Sequence, residues 1–359
     1  MNCIDRRLEI QKFARGAVLV AVCLLGAQAA WAGGEALPRA TTVTPVILEI
    51  AGPLNAPEVE VSGMTWKGDT LVILPQDPTL FAGAGQLGFF VLHKNEILAA
   101  IDGTADGPLQ PRQVTCRAVG LSRIVKGFDG LEAVGLMGDR CYLTVEAEDD
   151  TTMAGYLVCG QYDMVNNEVV MDMTHLTAIP MGLNIPNVAE EALVIDDGQV
   201  ITISEANGRN VNPKPVAKAF NADIDFEVTL PMPNIEYRVT DATGVDKAKR
   251  FWVVNYYFPA EREKLDPAPD PELERFGDPN SFDPDACLER LLELRIVRTC
   301  VQGDFIERTA TPPVILAPLP DNTCRNWEAI VRLDQRGFLV MTDQYPATLL
   351  AFVPYPLAP

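Results

Sequence analysis

Asn326-Trp327-Glu328-Ala329-Ile330-Val331, then a turn, then Phe338-Leu339-Val340-Met341-Thr342-Asp343, is the phrase on which the chain is built. An acidic residue precedes a small one and an apolar strand, and a second apolar strand ends on another acid. The same grammar recurs at Leu131-Glu132-Ala133-Val134, leading to Glu146, and at Glu190-Glu191-Ala192-Leu193, leading to Glu205. Weaker copies are Ser62-Gly63-Met64, leading to Asp77, and Asp241-Ala242-Thr243-Gly244-Val245, leading to Asn255. Glu132 to Glu146 and Glu191 to Glu205 each span 14 residues; Ser62 to Asp77 and Glu328 to Asp343 each span 15. Repeated units of several strands signal an all-β fold, a β-propeller.

Five blades are expected, with six the alternative if residues 96–128 hide a further unit. Blade one is read as 62–66, 71–74, 88–92 and 96–101, with 113–118 continuing outward. Blade two takes 132–136, 141–146, 155–159 and 168–173, and blade three 191–195, 199–205, 216–220 and 225–230. Blade four takes 237–245, 251–256, 291–297 and 313–317. The last blade has 328–333, 338–342 and 349–353 and is one strand short. Residues 46–50 are expected to complete it, closing the ring and removing open edges.

The mature chain is read as one domain, 46–359, preceded by a signal peptide at 1–32 and a flexible leader at 33–45. Arg6, Arg7, Lys12 and Arg15 precede an apolar run, and Ala30-Trp31-Ala32 fits a cleavage site, so a periplasmic or secreted location is expected. No later run is long and apolar enough to span a membrane, and a monomer is expected. The excess of 49 Asp and Glu over 29 Lys and Arg, net −20, argues against a nucleic-acid partner. Two histidines, His93 and His175, leave little room for a His-rich zinc site or a Ser-His-Asp triad. Cys141 and Cys159 flank a predicted hairpin at equal distances from its turn, so a disulfide between them is a candidate. Residues 259–287, rich in Pro, Asp and Glu, read as an acidic insertion, with helical turns at 272–276 and 286–294.

In a propeller, the loop entering the innermost strand and the loop leaving the second share one rim. Ser62, Glu132, Glu191, Thr243 and Glu328 are therefore expected at the mouth of the channel, with Asp241 the alternative to Thr243. Asp77, Glu146, Glu205, Asn255 and Asp343 should form a wider ring, with the insertion on the same face. Converging carboxylates must raise their pKa values or recruit a cation. Oxygen donors without His or Cys select a hard ion, and Ca²⁺ tolerates irregular geometry. The expected cofactor is thus Ca²⁺ at Ser62, Glu132, Glu191, Thr243 and Glu328. Glu146, Glu205 and Asp343 are candidate general bases, and Arg209, Lys214 and Arg325 candidate substrate-binding cations. G-x-S-x-G is absent.

The phrases Ser62-Gly63-Met64, Gly130-Leu131-Glu132-Ala133, Glu191-Ala192 and Asn326-Trp327-Glu328-Ala329, with the ending Thr342-Asp343-Gln344-Tyr345-Pro346, resemble the phytase-like secreted propeller family of bacteria. That family is also described as having the esterase-like activity of phytase. The resemblance covers about residues 46–355. The order Ser62, Glu132, Glu191, Thr243, Glu328 is also similar to the channel ring of five-bladed calcium-activated nucleotidases (apyrases). Typical members carry Gly where Ala133, Ala192 and Ala329 stand, and the insertion has no counterpart. The resemblance implies a central Ca²⁺ and metal-assisted hydrolysis of phosphate or carboxyl esters. The alternative is a non-enzymatic module that binds a ligand or protein around a structural calcium.

Overall fold

The computed structural model describes residues 39–355 except 57, 82–85, 151, 164, 278–281, 302, 322 and 345–346. The expected signal peptide, and Tyr345 of the quoted ending, lie outside the described residues. Two short strands come first, β1 (Thr41–Val43) and β2 (Val46–Leu48). Blade one is β3 (Val61–Lys67), β4 (Thr70–Pro75), β5 (Gln86–His93) and β6 (Arg112–Arg117). Blade two is β7 (Phe128–Met137), β8 (Arg140–Asp149), β9 (Thr152–Asp163) and β10 (Glu168–Ile179). Blade three is β11 (Glu190–Asp196), β12 (Gln199–Ser204), β13 (Val216–Phe220) and β14 (Phe226–Pro231). Blade four holds β15 (Arg238–Ala242), β16 (Arg250–Tyr257), β17 (Leu288–Val297), β18 (Phe305–Arg308) and β19 (Val314–Leu316). Blade five holds β20 (Trp327–Leu333), β21 (Gly337–Thr342) and β22 (Leu350–Pro354).

The innermost strands touch in a closed cycle, β3 to β7 to β11 to β15 to β20 and back to β3. Each interface between neighbouring blades carries its own apolar cluster. This explains the near-continuous burial of the inner strands: each is covered on both faces, so apolar runs replace alternation. Blades one and two are further joined into one eight-stranded sheet, because β6 and β10 pair in parallel, with Cys116 opposite Val169. Strand β2 pairs antiparallel with β22 and completes blade five, as expected.

Several local expectations are corrected. The leader is not featureless, because its described end forms β1, which pairs in parallel with β19 on blade four. Residues 96–101 are helical rather than extended. His93 caps the helix α1 (Lys94–Ile101), accepting from Asn95 N at 3.2 Å, while Glu96 accepts from His93 N at 2.8 Å. This reciprocal box outweighs the strand reading of an apolar run. Residues 288–294 are strand rather than helical turns, continuous with the strand expected at 291–297; β17 runs beside β16 over eight paired positions, from Arg250 with Arg295 to Tyr257 with Leu288.

Cys141 and Cys159 are free thiols. The β8–β9 register is one residue away from the predicted one: Cys141 opposes Gly160 and Cys159 opposes Tyr142. Adjacent positions point to opposite faces. Cys141 therefore lies in the cluster between blades one and two, and Cys159 in that between blades two and three. Among the described residues, a disulfide joins Cys287 to Cys324, tying the end of the insertion to the segment entering β20. Among the described residues, no helix is long and apolar enough to cross a membrane.

Peptide mapping under non-reducing conditions should recover Cys287 linked to Cys324. Cys141 and Cys159 should alkylate only after unfolding. A Cys141–Cys159 peptide would contradict the register.

Candidate metal centre

Each innermost strand carries one extra residue at the same level. Val61 opposes Pro75 and Gly63 opposes Leu74, so Ser62 is squeezed out of the ladder. Glu191 and Glu328 are displaced in the same way, between Glu190 and Ala192 and between Trp327 and Ala329. Strands β7 and β15 have matching irregularities, after Leu131 and after Val239. A bulge re-aims one side chain without ending the strand, and here the repeat turns five residues toward one level of the channel.

Hydroxyls tie this level together. Ser62 Oγ donates to Leu131 O at 2.5 Å, on the residue before Glu132. Thr240 Oγ1 donates to Trp327 O at 2.6 Å, on the residue before Glu328. The matching bonds identify Thr240 as the counterpart of Ser62. Thr243, the sequence candidate, sits further along; its Oγ1 accepts from Trp252 N at 3.0 Å and lies at 3.1 Å from Gly244 O. Asp241 then stands where the other blades have Gly63, Ala133, Ala192 and Ala329. Its carboxylate accepts from Ile330 N at 2.7 Å and also binds the Met64 amide, linking blades four, five and one. The layer is tight: a Cβ on Gly63 would come within 3.2 Å of Val134 N, so a larger residue there would press on the β7 backbone.

Beside this layer lies a cavity of about 300 Å³. The buried Glu132, Glu146, Glu191 and Glu328 line it, with Glu60, Asp129 and Asp343 in less enclosed positions. Carboxylate oxygens of Glu132, Glu146 and Glu191 lie within 4.8 Å of one another. Glu146 Oε1 is buried with no hydrogen-bond partner, and Glu132 Oε1 has only a long contact, 3.4 Å, from Gln76 Nε2. Burial, with Glu191 and Glu146 adding repulsion, pushes Glu132 well above the usual carboxylate range. Burial and then Glu146 raise Glu191 to about 8; burial and then Asp129 raise Glu146 to about 7. Burial also carries Glu328 well up, although Arg238 pulls the other way. Such a donor set fits a hard cation: all-oxygen, crowded, and left with unsatisfied lone pairs.

Arg238 is the one basic residue lining the cavity among the described residues. Its Nε donates to Glu205, which is fully buried beneath it. Burial works against its charge, but Glu328, Glu261 and Glu191 outweigh that and push its pKa up. Arg238, the first residue of β15, is not among the sequence candidates, because its carboxylate neighbours Glu205 and Glu261 lie in other parts of the chain.

The remaining candidates are scattered. Ser62, Glu132, Glu191 and Glu328 are brought together with Glu146 and Asp343. Asp343 accepts from Asn326 Nδ2 at 2.9 Å. Glu205 is engaged by Arg238, and Asp77 accepts from Thr79 N at 3.0 Å; neither lines the cavity. Asn255 Nδ2 donates to Glu236 O and Arg238 O. Arg209 and Lys214 are exposed and Arg325 is buried against Asp321; none of the three lines the cavity. The insertion borders the cavity, because Lys264 Nζ donates at 3.2 Å to the carbonyl of Asn187, a lining residue. It is docked rather than loose: Leu265 packs on Val188 and Ala206, and Arg290 Nη1 binds Asp270 at 2.6 Å in a fully buried pair.

No family model and no curated protein matches the sequence. Among solved structures, the chain is similar to a putative glycoside hydrolase from Parabacteroides distasonis, with TM-score 0.47 and 10% identity over 88% of this chain and 94% of that one. It is similar to a glycosyl hydrolase from Bacteroides ovatus, with TM-score 0.46 and 9% identity over 90% and 94%. The soluble aldose sugar dehydrogenase from Escherichia coli matches with TM-score 0.44 and 12% identity over 87% and 100%. These likenesses are too distant to bear on activity, and the propeller assignment rests on the strand topology.

Ser62→Ala or Thr240→Ala should each cost about 1–2 kcal/mol in chemical denaturation, since each leaves a buried carbonyl without its donor. The carboxyls predict a pH dependence. Folding raises Glu146 and Glu191 from 4.5 to about 7 and about 8, so the folded chain holds protons that the unfolded chain releases. In chelator, their contribution is complete below about pH 4.5 and is lost as pH rises through about 8. The melting temperature should fall over that window, and less so in Glu191→Gln. Identical profiles for the two proteins would contradict the assignment.

Proposed function

We propose that the cavity is a calcium centre, and that the protein is a secreted or periplasmic propeller of the phytase-like kind that hydrolyses phosphate or carboxyl esters. The observation that carries this reading is the convergence of Glu132, Glu146 and Glu191 oxygens within 4.8 Å, from blades two and three. Three buried glutamates without a histidine or thiol among them favour a hard ion, and their irregular spacing favours Ca²⁺ over Mg²⁺. Glu132, Glu146 and Glu191 would hold the ion, with Glu328 in the same cavity. Ser62 and Thr240 fix the blades that carry these glutamates. When bound, such an ion polarises a phosphoryl or carbonyl oxygen and acidifies water. Asp343, half-buried at the cavity and held by Asn326, is the group assigned to accept a proton from attacking water. The Cys287–Cys324 disulfide supports an oxidising compartment.

A second reading, a purely structural calcium in a binding module, is favoured by the burial of the cluster: Glu132, Glu146 and Glu191 are each at most 4% exposed.

Thermal melts in chelator, then with added Ca²⁺ or Mg²⁺, test the centre by mass action. A Ca²⁺-selective rise is expected, lost in Glu132→Gln and Glu191→Gln; no rise with either ion overturns it. Turnover of p-nitrophenyl phosphate or acetate by the calcium-loaded protein, lost in Asp343→Asn with the calcium shift retained, favours hydrolysis. A calcium shift without turnover favours the structural ion.

A further inference from the structure

We infer that the cavity also contains an oxyanion site, built on Arg238, that receives the phosphoryl or carboxylate group of a ligand. The inference rests on the reading of the cavity as a calcium centre, and it names the ligand's chemistry. Arg238 is 8% exposed and lines the cavity. Its Nε is taken by Glu205, but neither Nη1 nor Nη2 makes a hydrogen bond among the described residues. The nearest further carboxylate is Glu261 of the insertion, at 3.7 Å from Nη1, which is too far for a hydrogen bond. Glu261 Oε2 is itself buried with no hydrogen-bond partner. Arg238 therefore keeps the outer edge of its guanidinium unbonded beside a polar cavity. A guanidinium edge open to a cavity is free to take a ligand, and the planar fork matches an oxyanion in two places.

The surroundings hold Arg238 in this pose. Tyr237, directly before it, is a bulky residue with φ +73°, in the left-handed region. Asn255 Nδ2 bridges the kink, donating to Glu236 O at 2.9 Å and Arg238 O at 2.8 Å. Asn255 Oδ1 in turn accepts from Arg290 Nε at 2.7 Å, and Arg290 binds Asp270 of the insertion. The insertion thus reaches Arg238 twice, through this relay and through the Glu261 carboxylate. Glu261 is an internal anion standing near where a ligand's oxyanion would bind, so it should compete with one.

Above the pH at which the carboxyls around the cavity lose their protons, they repel an anion until a cation offsets them, which makes anion binding there dependent on calcium. The test is calorimetric titration of the full mature chain with phenylphosphonate, and separately with benzoate, with and without Ca²⁺. Melts of each variant report calcium binding independently. Phenylphosphonate or benzoate should bind the calcium-loaded protein. Arg238→Lys, which keeps the charge but removes the fork, should weaken binding about tenfold with the calcium shift retained. Glu261→Gln should tighten binding several-fold. Preference for phenylphosphonate assigns a phosphoryl ligand and preference for benzoate a carboxylate; either upholds the site. No binding of either probe to calcium-loaded protein, or unchanged affinity in both variants, overturns it. If the calcium shift is absent but Arg238-dependent binding of a probe persists, the oxyanion site stands and the calcium centre falls. If both are absent, both fall.

Discussion

Glu132, Glu146 and Glu191 bring carboxylate oxygens within 4.8 Å of one another at a level almost closed to solvent. Charges this close in a poorly solvated channel are costly, and the fold must either protonate them or neutralise them. Arg238 cannot do this alone, because its Nε is committed to Glu205 and its Nη groups reach no ring carboxylate within 4.0 Å. The architecture nevertheless invests in the arrangement. Bulges place the glutamates, Ser62 and Thr240 lock neighbouring blades at that level, and Asp241 gathers amides from two further blades. A propeller closed only by apolar packing would need none of this.

The same constraint organises the periphery. The insertion after β16 contributes buried pairs, Asp270 with Arg290 and Glu272 with Arg308, rather than a solvated loop. Breaking such a pair strands a charge at a cost of about 3–5 kcal/mol, so the segment is held over blade four. The Cys287–Cys324 disulfide fixes its far end to the segment entering the strand that bears Glu328. Elements distant in sequence are thereby anchored around one polar cavity.

Much of this was legible in the residues. An acid before a small residue before an apolar strand marks a bulge at the head of an inner strand, and this located Glu132, Glu191 and Glu328. The missing strand of the last blade pointed to residues 46–50, of which Val46–Leu48 pair with β22. Other features depended on relations that local patterns do not carry. In blade four, Asp241 replaces the small residue, so the phrase aligns three positions late, on Thr243 instead of Thr240. The Cys141–Cys159 hairpin failed by a single residue of register. Strand β1 owes its existence to a parallel partner more than 270 residues away, Val314–Leu316. Arg238 went unread because a buried arginine is explained only by its partners, and Glu205 and Glu261 come from other parts of the chain.

The central claim is that a cation, rather than protons, balances the buried carboxylates of the folded protein. The most direct measurement is calorimetric titration of the chelator-treated chain with Ca²⁺ near neutral pH, in two buffers of different ionisation enthalpy. A bound ion must displace the protons that Glu132, Glu146 and Glu191 otherwise retain. One Ca²⁺ per chain, with net proton release and with both signals diminished in Glu191→Gln, is the predicted result. Absence of binding, or binding without proton release, would show that the carboxylates are balanced in some other way.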